Sequence, residues 1–235
     1  MKKLLVSLAA LIVFALPPVV RADTITFNAP ATKPNDGSGG PNNFDLDHYR
    51  AYTWSVQHTF AAGEQITSAK LVFRSIHNWD PNANRLYVNL LDYARNTAHN
   101  NVSSVQDANV DPTQGNGGFS DYFDVNGNYL GNGAEKVDLT TLVNLSMTPN
   151  TITYEFTAAQ LLKLNEFFSS LDNTLAFGFD PDCHFWNNGI KFEITTKTPA
   201  PVPEPTTMAL LGTGLAGLYA RRRRQQKKAQ GESDS

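Results

Sequence analysis

The side chains best suited to chemistry in this 235-residue chain are a few histidines, aspartates and tryptophans gathered in short stretches. Asp45-Leu46-Asp47-His48-Tyr49-Arg50 sets an imidazole beside two carboxylates, a grouping fit for acid–base work. No nucleophile accompanies it, so a hydrogen-bonded histidine at a strand entry is the plainer reading. Asp180 and Asp182 flank Pro181 in a loop running to Gly189, and offer hard oxygen donors to calcium. Asp124, Asn126, Asn128, Asn132 and Glu135 fall at positions 1, 3, 5, 9 and 12 of a twelve-residue window, the ligand spacing of a calcium loop. Tyr129 stands sixth, where such a loop needs glycine, and a plain Asn/Gly turn is the alternative. Calcium at these two places is the one cofactor the sequence suggests.

Cys183 is the single cysteine, which excludes an intrachain disulfide. One cysteine beside His184 is far from a zinc spacing, so a buried inert thiol is expected. Trp79 and Trp186 lie at strand ends among turn residues, where a large ring is costly to bury fully. Both are candidate carbohydrate platforms, since an exposed indole offers a flat apolar face to a sugar ring. The alternative is that both rings cap the core. The chain has no Gly-x-Ser-x-Gly, no His-Glu-x-x-His and no phosphate loop. The glycine-rich stretch 34–43 is followed by neither helix nor lysine and reads as a surface loop.

The ends of the chain are segments of delivery. Lys2-Lys3 and an apolar run from Leu4 to Leu16 form a secretory signal peptide over residues 1–22, with cleavage between Ala22 and Asp23. Its handlers are the Sec translocon and signal peptidase. At the other end Pro203-Glu204-Pro205 forbids regular structure. An uncharged run, 206–220, follows, and then Arg221, Arg222, Arg223 and Arg224. The run predicts a short transmembrane helix of roughly 22 Å at about 1.5 Å per residue. The arginines would stay on the cytoplasmic side, ahead of a polar tail at 225–235.

This order of motif, helix and arginine cluster resembles the PEP-CTERM sorting signal of Gram-negative bacteria, also catalogued as the ice-binding protein C-terminal domain. The resemblance covers residues 201–224. It implies an inner-membrane-anchored precursor, cleavage by an exosortase-type protease, and release to the cell surface or an exopolysaccharide matrix. It implies nothing about binding ice. The middle of the chain, including 44–54 and 177–194, resembles an uncharacterised group of such exported proteins, a likeness that carries no activity.

Between the signals, residues 23–200 are long enough for one domain with a sizeable core. The chain has 19 basic and 22 acidic residues; 9 basic and 3 acidic ones lie in the two end segments, which leaves the middle with 10 and 19, a net charge of −9. An acidic domain without a basic stripe excludes nucleic acid as partner. Period-two alternation predicts strands at 24–27, 52–60, 69–76, 86–92, 118–124, 136–143, 151–156, 175–179 and 190–196, each with one buried and one wet face. The stretch from Ala94 to Gly118, polar and aperiodic, reads as a long loop. Thr157 and Gln160 form a capping box, and Leu161, Leu164 and Phe168 recur at helical spacing, so an amphipathic helix over 158–169 is expected. The fold class is all-β, a jelly-roll-like sandwich with one helix. Two functions follow: a non-enzymatic surface or matrix protein, carbohydrate-binding through Trp79 and Trp186, or a polysaccharide-active hydrolase or lyase on the same fold.

Overall fold

The computed structural model describes residues 22–33, 40–48, 50–92, 102–106, 121–125, 135–170, 173–198 and 205–231. Residues 1–21 of the expected signal peptide, most of the glycine-rich loop, Asn126, Asn128, Asn132, Pro203 and Glu204 lie outside the described residues. Arg21–Thr198 forms one compact unit, and the C-terminal helix belongs to another.

Among the described residues, ten strands make two five-stranded antiparallel sheets. They are β1 (Ala22–Asn28), β2 (Arg50–Gln57), β3 (Gln65–Asn78), β4 (Arg85–Leu91), β5 (Val102–Gln106), β6 (Lys136–Val143), β7 (Asn150–Glu155), β8 (Thr174–Pro181), β9 (Phe185–Trp186) and β10 (Ile190–Lys197). One sheet runs β1-β10-β3-β7, with β9 on the far end of β3; the other runs β5-β2-β8-β4-β6. Leaving out β5 and β9, the first of the eight remaining strands pairs the last, the second the seventh, the third the sixth and the fourth the fifth. That is one long antiparallel hairpin rolled up on itself, a jelly roll.

Aromatic side chains fill the space between the sheets. Trp54, Phe177 and Phe179 point in from one sheet and Phe73 and Phe192 from the other, all essentially without exposure. Phe177 bridges the layers, with ring centroids 5.5 Å from Trp54 and 4.8 Å from Phe192. The expected helix is present as Ala158–Ser170. Its cap is reciprocal: the Thr157 amide donates to Gln160 Oε1 at 2.9 Å, and the Gln160 amide to Thr157 Oγ1 at 3.3 Å. Leu164, Phe167 and Phe168 bury its inner face.

Three expectations for the sandwich are corrected. Residues 122–125 are helical, not a strand. Asp121 starts that turn, accepting the Phe123 amide at 3.0 Å on Oδ1, which is N-cap chemistry. This short helix is α1 (Tyr122–Val125), and the capped helix is α2. Second, β5 falls inside the expected long loop and pairs with β2. Third, β2 ends at Gln57 and has no wet face, because Thr53 and Ser55 are as buried as Tyr52 and Trp54.

The C-terminal helix, α3 (Pro205–Gly231), does not stop at Ala220 but runs through the four arginines. Arginine, glutamine and lysine are good helix formers, so nothing local ends it there. Among the described residues no helix is long and apolar enough to cross a membrane. The run 206–220 falls short of that measure for a compositional reason. Thr206, Thr207, Gly212, Thr213, Gly214 and Gly217 dilute an already short run.

Candidate functional site: an aromatic and histidine face at one end of the sandwich

β3 overruns its sheet and pairs with β9, His77 facing Trp186 and Asn78 facing Phe185. The Trp79 amide continues the ladder by one rung, donating to the His184 carbonyl at 3.3 Å. Strand alternation then sorts the side chains. Asn78 and Phe185 turn inward and are buried, while His77, Trp79, His184 and Trp186 share the other face. Trp186 meets His77 edge-on at 5.5 Å and His184 at 6.1 Å, and Trp79 lies 6.5 Å from His184. Four rings thus form one patch. Trp79 is 47% exposed, among the largest exposures of any described aromatic in the sandwich, and Trp186 is half-buried.

Buried asparagines fix the surroundings. Asn78 Oδ1 accepts the Trp79 amide at 3.1 Å, and its Nδ2 donates to the carbonyls of Asp80 and Asn82, holding the turn that presents Trp79. Asn187 Oδ1 accepts the Phe44 and Gly189 amides at 3.1 and 2.8 Å, and its Nδ2 donates to the Phe44 carbonyl at 2.7 Å. The Phe185 amide donates to the Leu46 carbonyl at 3.0 Å. These bonds draw the segment Asn43–His48 alongside β9 and bring Asp47 and His48 to His184. Asp47 Oδ1 lies 3.2 Å from His48 Nδ1 and 3.4 Å from His184 Nδ1.

Electrostatics divide the cluster. Lys33 Nζ lies 3.0 Å from Asp45 Oδ1 and 3.8 Å from Asp47 Oδ2. Burial holds the His184 imidazole below its usual range, with the Asp47 charge pulling the other way. The Tyr52 hydroxyl accepts the Asp47 amide at 3.1 Å, and burial followed by the nearby Asp45 charge raises its pKa. Cys183 is half-buried, and burial pushes its thiol up, so it stays protonated.

The suggested calcium positions separate. Asp180 is buried and its Oδ2 accepts the Tyr122 amide at 2.8 Å. Asp182 accepts the Arg85 amide on Oδ1, and burial lifts its carboxyl to about 6. The Asp124 carboxylate contacts the Lys136 ammonium, and Glu135 holds Lys163 at 2.9 Å. Lys136 also meets Asp121 and Asp138, so an ammonium sits where three carboxylates converge. Ala22 and Asp23, at the expected signal cleavage, open β1 and pair with Lys197 and Thr196. The four arginines lie exposed on α3.

Sequence reasoning set His48 beside Asp47 and noted His184 and both tryptophans elsewhere, but did not join them. No linear spacing carries it, because the two histidines come from opposite ends of the folded hairpin.

No curated protein matches the chain. Residues 201–224 match the model of the PEP-CTERM protein-sorting motif, and the chain is accordingly an exported, exosortase-targeted protein by its C-terminal signal.

Proposed function

We propose that the sandwich is a non-enzymatic cell-surface or matrix module that retains extracellular polysaccharide on the face formed by Trp79 and Trp186. The observation that carries this reading is the half-exposed Trp79 ring sharing one strand face with Trp186. Indole faces stack on sugar rings, and carboxylate and amide groups such as Asp80 and Asn82 beside Trp79 suit the hydroxyls. Delivery fits the role. After removal of the signal peptide, cleavage near Pro203–Pro205 would release the module at the surface.

The test is retention of the exported protein on the host's own exopolysaccharide and on a glycan panel, with Trp79→Ala and Trp186→Ala as variants. Both should abolish retention while lowering stability by less than the roughly 3–5 kcal/mol expected for emptying a buried aromatic site. A parent protein that retains no glycan, or variants that bind as well as the parent, would refute it. Glu204→Ala addresses delivery separately: the precursor should accumulate in the membrane fraction.

A further inference from the structure

We propose that Asp47, His48 and His184 bind one divalent transition-metal ion of the zinc class, with a fourth coordination position open beside the tryptophan face. The proposal does not rest on glycan binding.

One ligand atom from each of the three residues lies within 4.8 Å of the other two. The two measured edges are more telling. A tetrahedral ion with bonds of about 2.0–2.1 Å holds its ligand atoms about 3.3–3.4 Å apart. Asp47 Oδ1 lies 3.2 and 3.4 Å from the two histidine Nδ1 atoms. The longer separation is outside the usual 2.7–3.2 Å range of a nitrogen–oxygen hydrogen bond, yet it suits two ligands of one ion.

The donor set selects the metal. Two imidazoles and a carboxylate oxygen suit zinc and its first-row neighbours, whereas calcium and magnesium prefer all-oxygen sites. Lys33 approaches Asp47 through Oδ2, which leaves Oδ1 directed at the histidines. The supports are rigid: the Asp47 amide is tied to Tyr52, the neighbouring Leu46 carbonyl to Phe185, and Phe44 to Asn187. By contrast, the convergence of Asp121, Asp124 and Asp138 already holds the Lys136 ammonium and carries no such proposal.

The experiment uses the full chain, purified without an affinity tag and stripped with chelator, and titrates it with Zn(II), with Co(II) as a visible probe. One equivalent should bind, with cobalt absorption of tetrahedral type. Cobalt should also quench tryptophan fluorescence, since the Trp186 and Trp79 rings lie 6.1 and 6.5 Å from His184. His48→Ala and His184→Gln should each weaken zinc binding more than about tenfold. His77→Ala, which touches Trp186 but supplies no ligand atom, should leave it unchanged. Circular dichroism establishes that each variant is folded, and if His48→Ala unfolds, His184→Gln alone decides. Absence of zinc binding by the parent, stoichiometric zinc in a folded His184→Gln variant, or an equal loss in His77→Ala would overturn the site.

Discussion

β10 and β2 lie in different sheets, and only β10 keeps a wet face. In β10 every second residue is buried, and its outward positions carry Lys191 and Glu193, with Glu193 also 2.7 Å from Lys70 on β3. In β2 the outward positions are Ala51, Thr53 and Ser55, and all are buried. Phe123 of α1 covers that side, packed with Ala51, Ala176 and Leu91. It lies so close over β8 that a Cβ on Gly178 would come 2.8 Å from its ring. The difference teaches that outward residues which are merely small mark a covered face, while outward charges mark a wet one.

The largest expected effect tests whether the inner layer is the main core. Phe177→Ala removes the ring that bridges the sheets and should cost about 3–5 kcal/mol in urea unfolding. A loss under about 1 kcal/mol would mean that the layers do not depend on it.

The next effect tests the outer cover of β2 and β8. Asp121 is buried beside Lys136, at 3.1 Å. Burial raises the Asp121 pKa even against the Lys136 charge and its hydrogen bonds. A carboxyl whose folded pKa is raised holds its proton more tightly when folded. Its contribution is therefore most favourable at low pH and declines as pH rises through that raised pKa. Lys136→Met removes the counter-charge and should cost about 3 kcal/mol at neutral pH, with the loss shrinking as Asp121 protonates. Melting temperatures of parent and variant across pH 4 to 8 check the sign, and a gap that widens toward low pH contradicts it.

Phe123→Ala should be milder than Phe177→Ala, about 2 kcal/mol, because its cluster is small and lies at the surface of the sheet. If it matched Phe177→Ala, the outer cluster would have to be counted as a second core.

The same contrast explains what could be read in the sequence. Strand β10 and the helix α2 were legible because alternation and the Thr157–Gln160 pair are local signals that the packing obeys. Strand β5 was not, since Val102-Ser103-Ser104-Val105-Gln106 has little apolar character and owes its pairing to the edge offered by β2. The aromatic run Tyr122-Phe123 looked like a strand, although Asp121 just before it carried an N-cap signal. At the candidate site, the turn residues around Trp79 and Trp186 left two readings open, rings facing water or rings capping the core; Trp79 is exposed and Trp186 half-buried. The sharing of one face could not be foretold, because it depends on β3 overrunning its sheet to meet β9.

The smallest effect concerns the element read most directly from its sequence. Thr157 accepts the Gln160 amide, while Gln160 Oε1 also accepts the Tyr154 hydroxyl at 2.8 Å and its Nε2 donates to the Asp138 carbonyl at 3.1 Å. Gln160 therefore anchors α2 to two strands, whereas Thr157 does little beyond capping. Thr157→Ala should cost about 1 kcal/mol, and Thr157→Ser, which keeps the hydroxyl, a few tenths. Equal losses in the two variants would assign the cost to the missing methyl group and not to the hydrogen bond. A loss from Thr157→Ala comparable with that from Phe123→Ala would show that α2 is docked through its first turn and not through Leu164, Phe167 and Phe168.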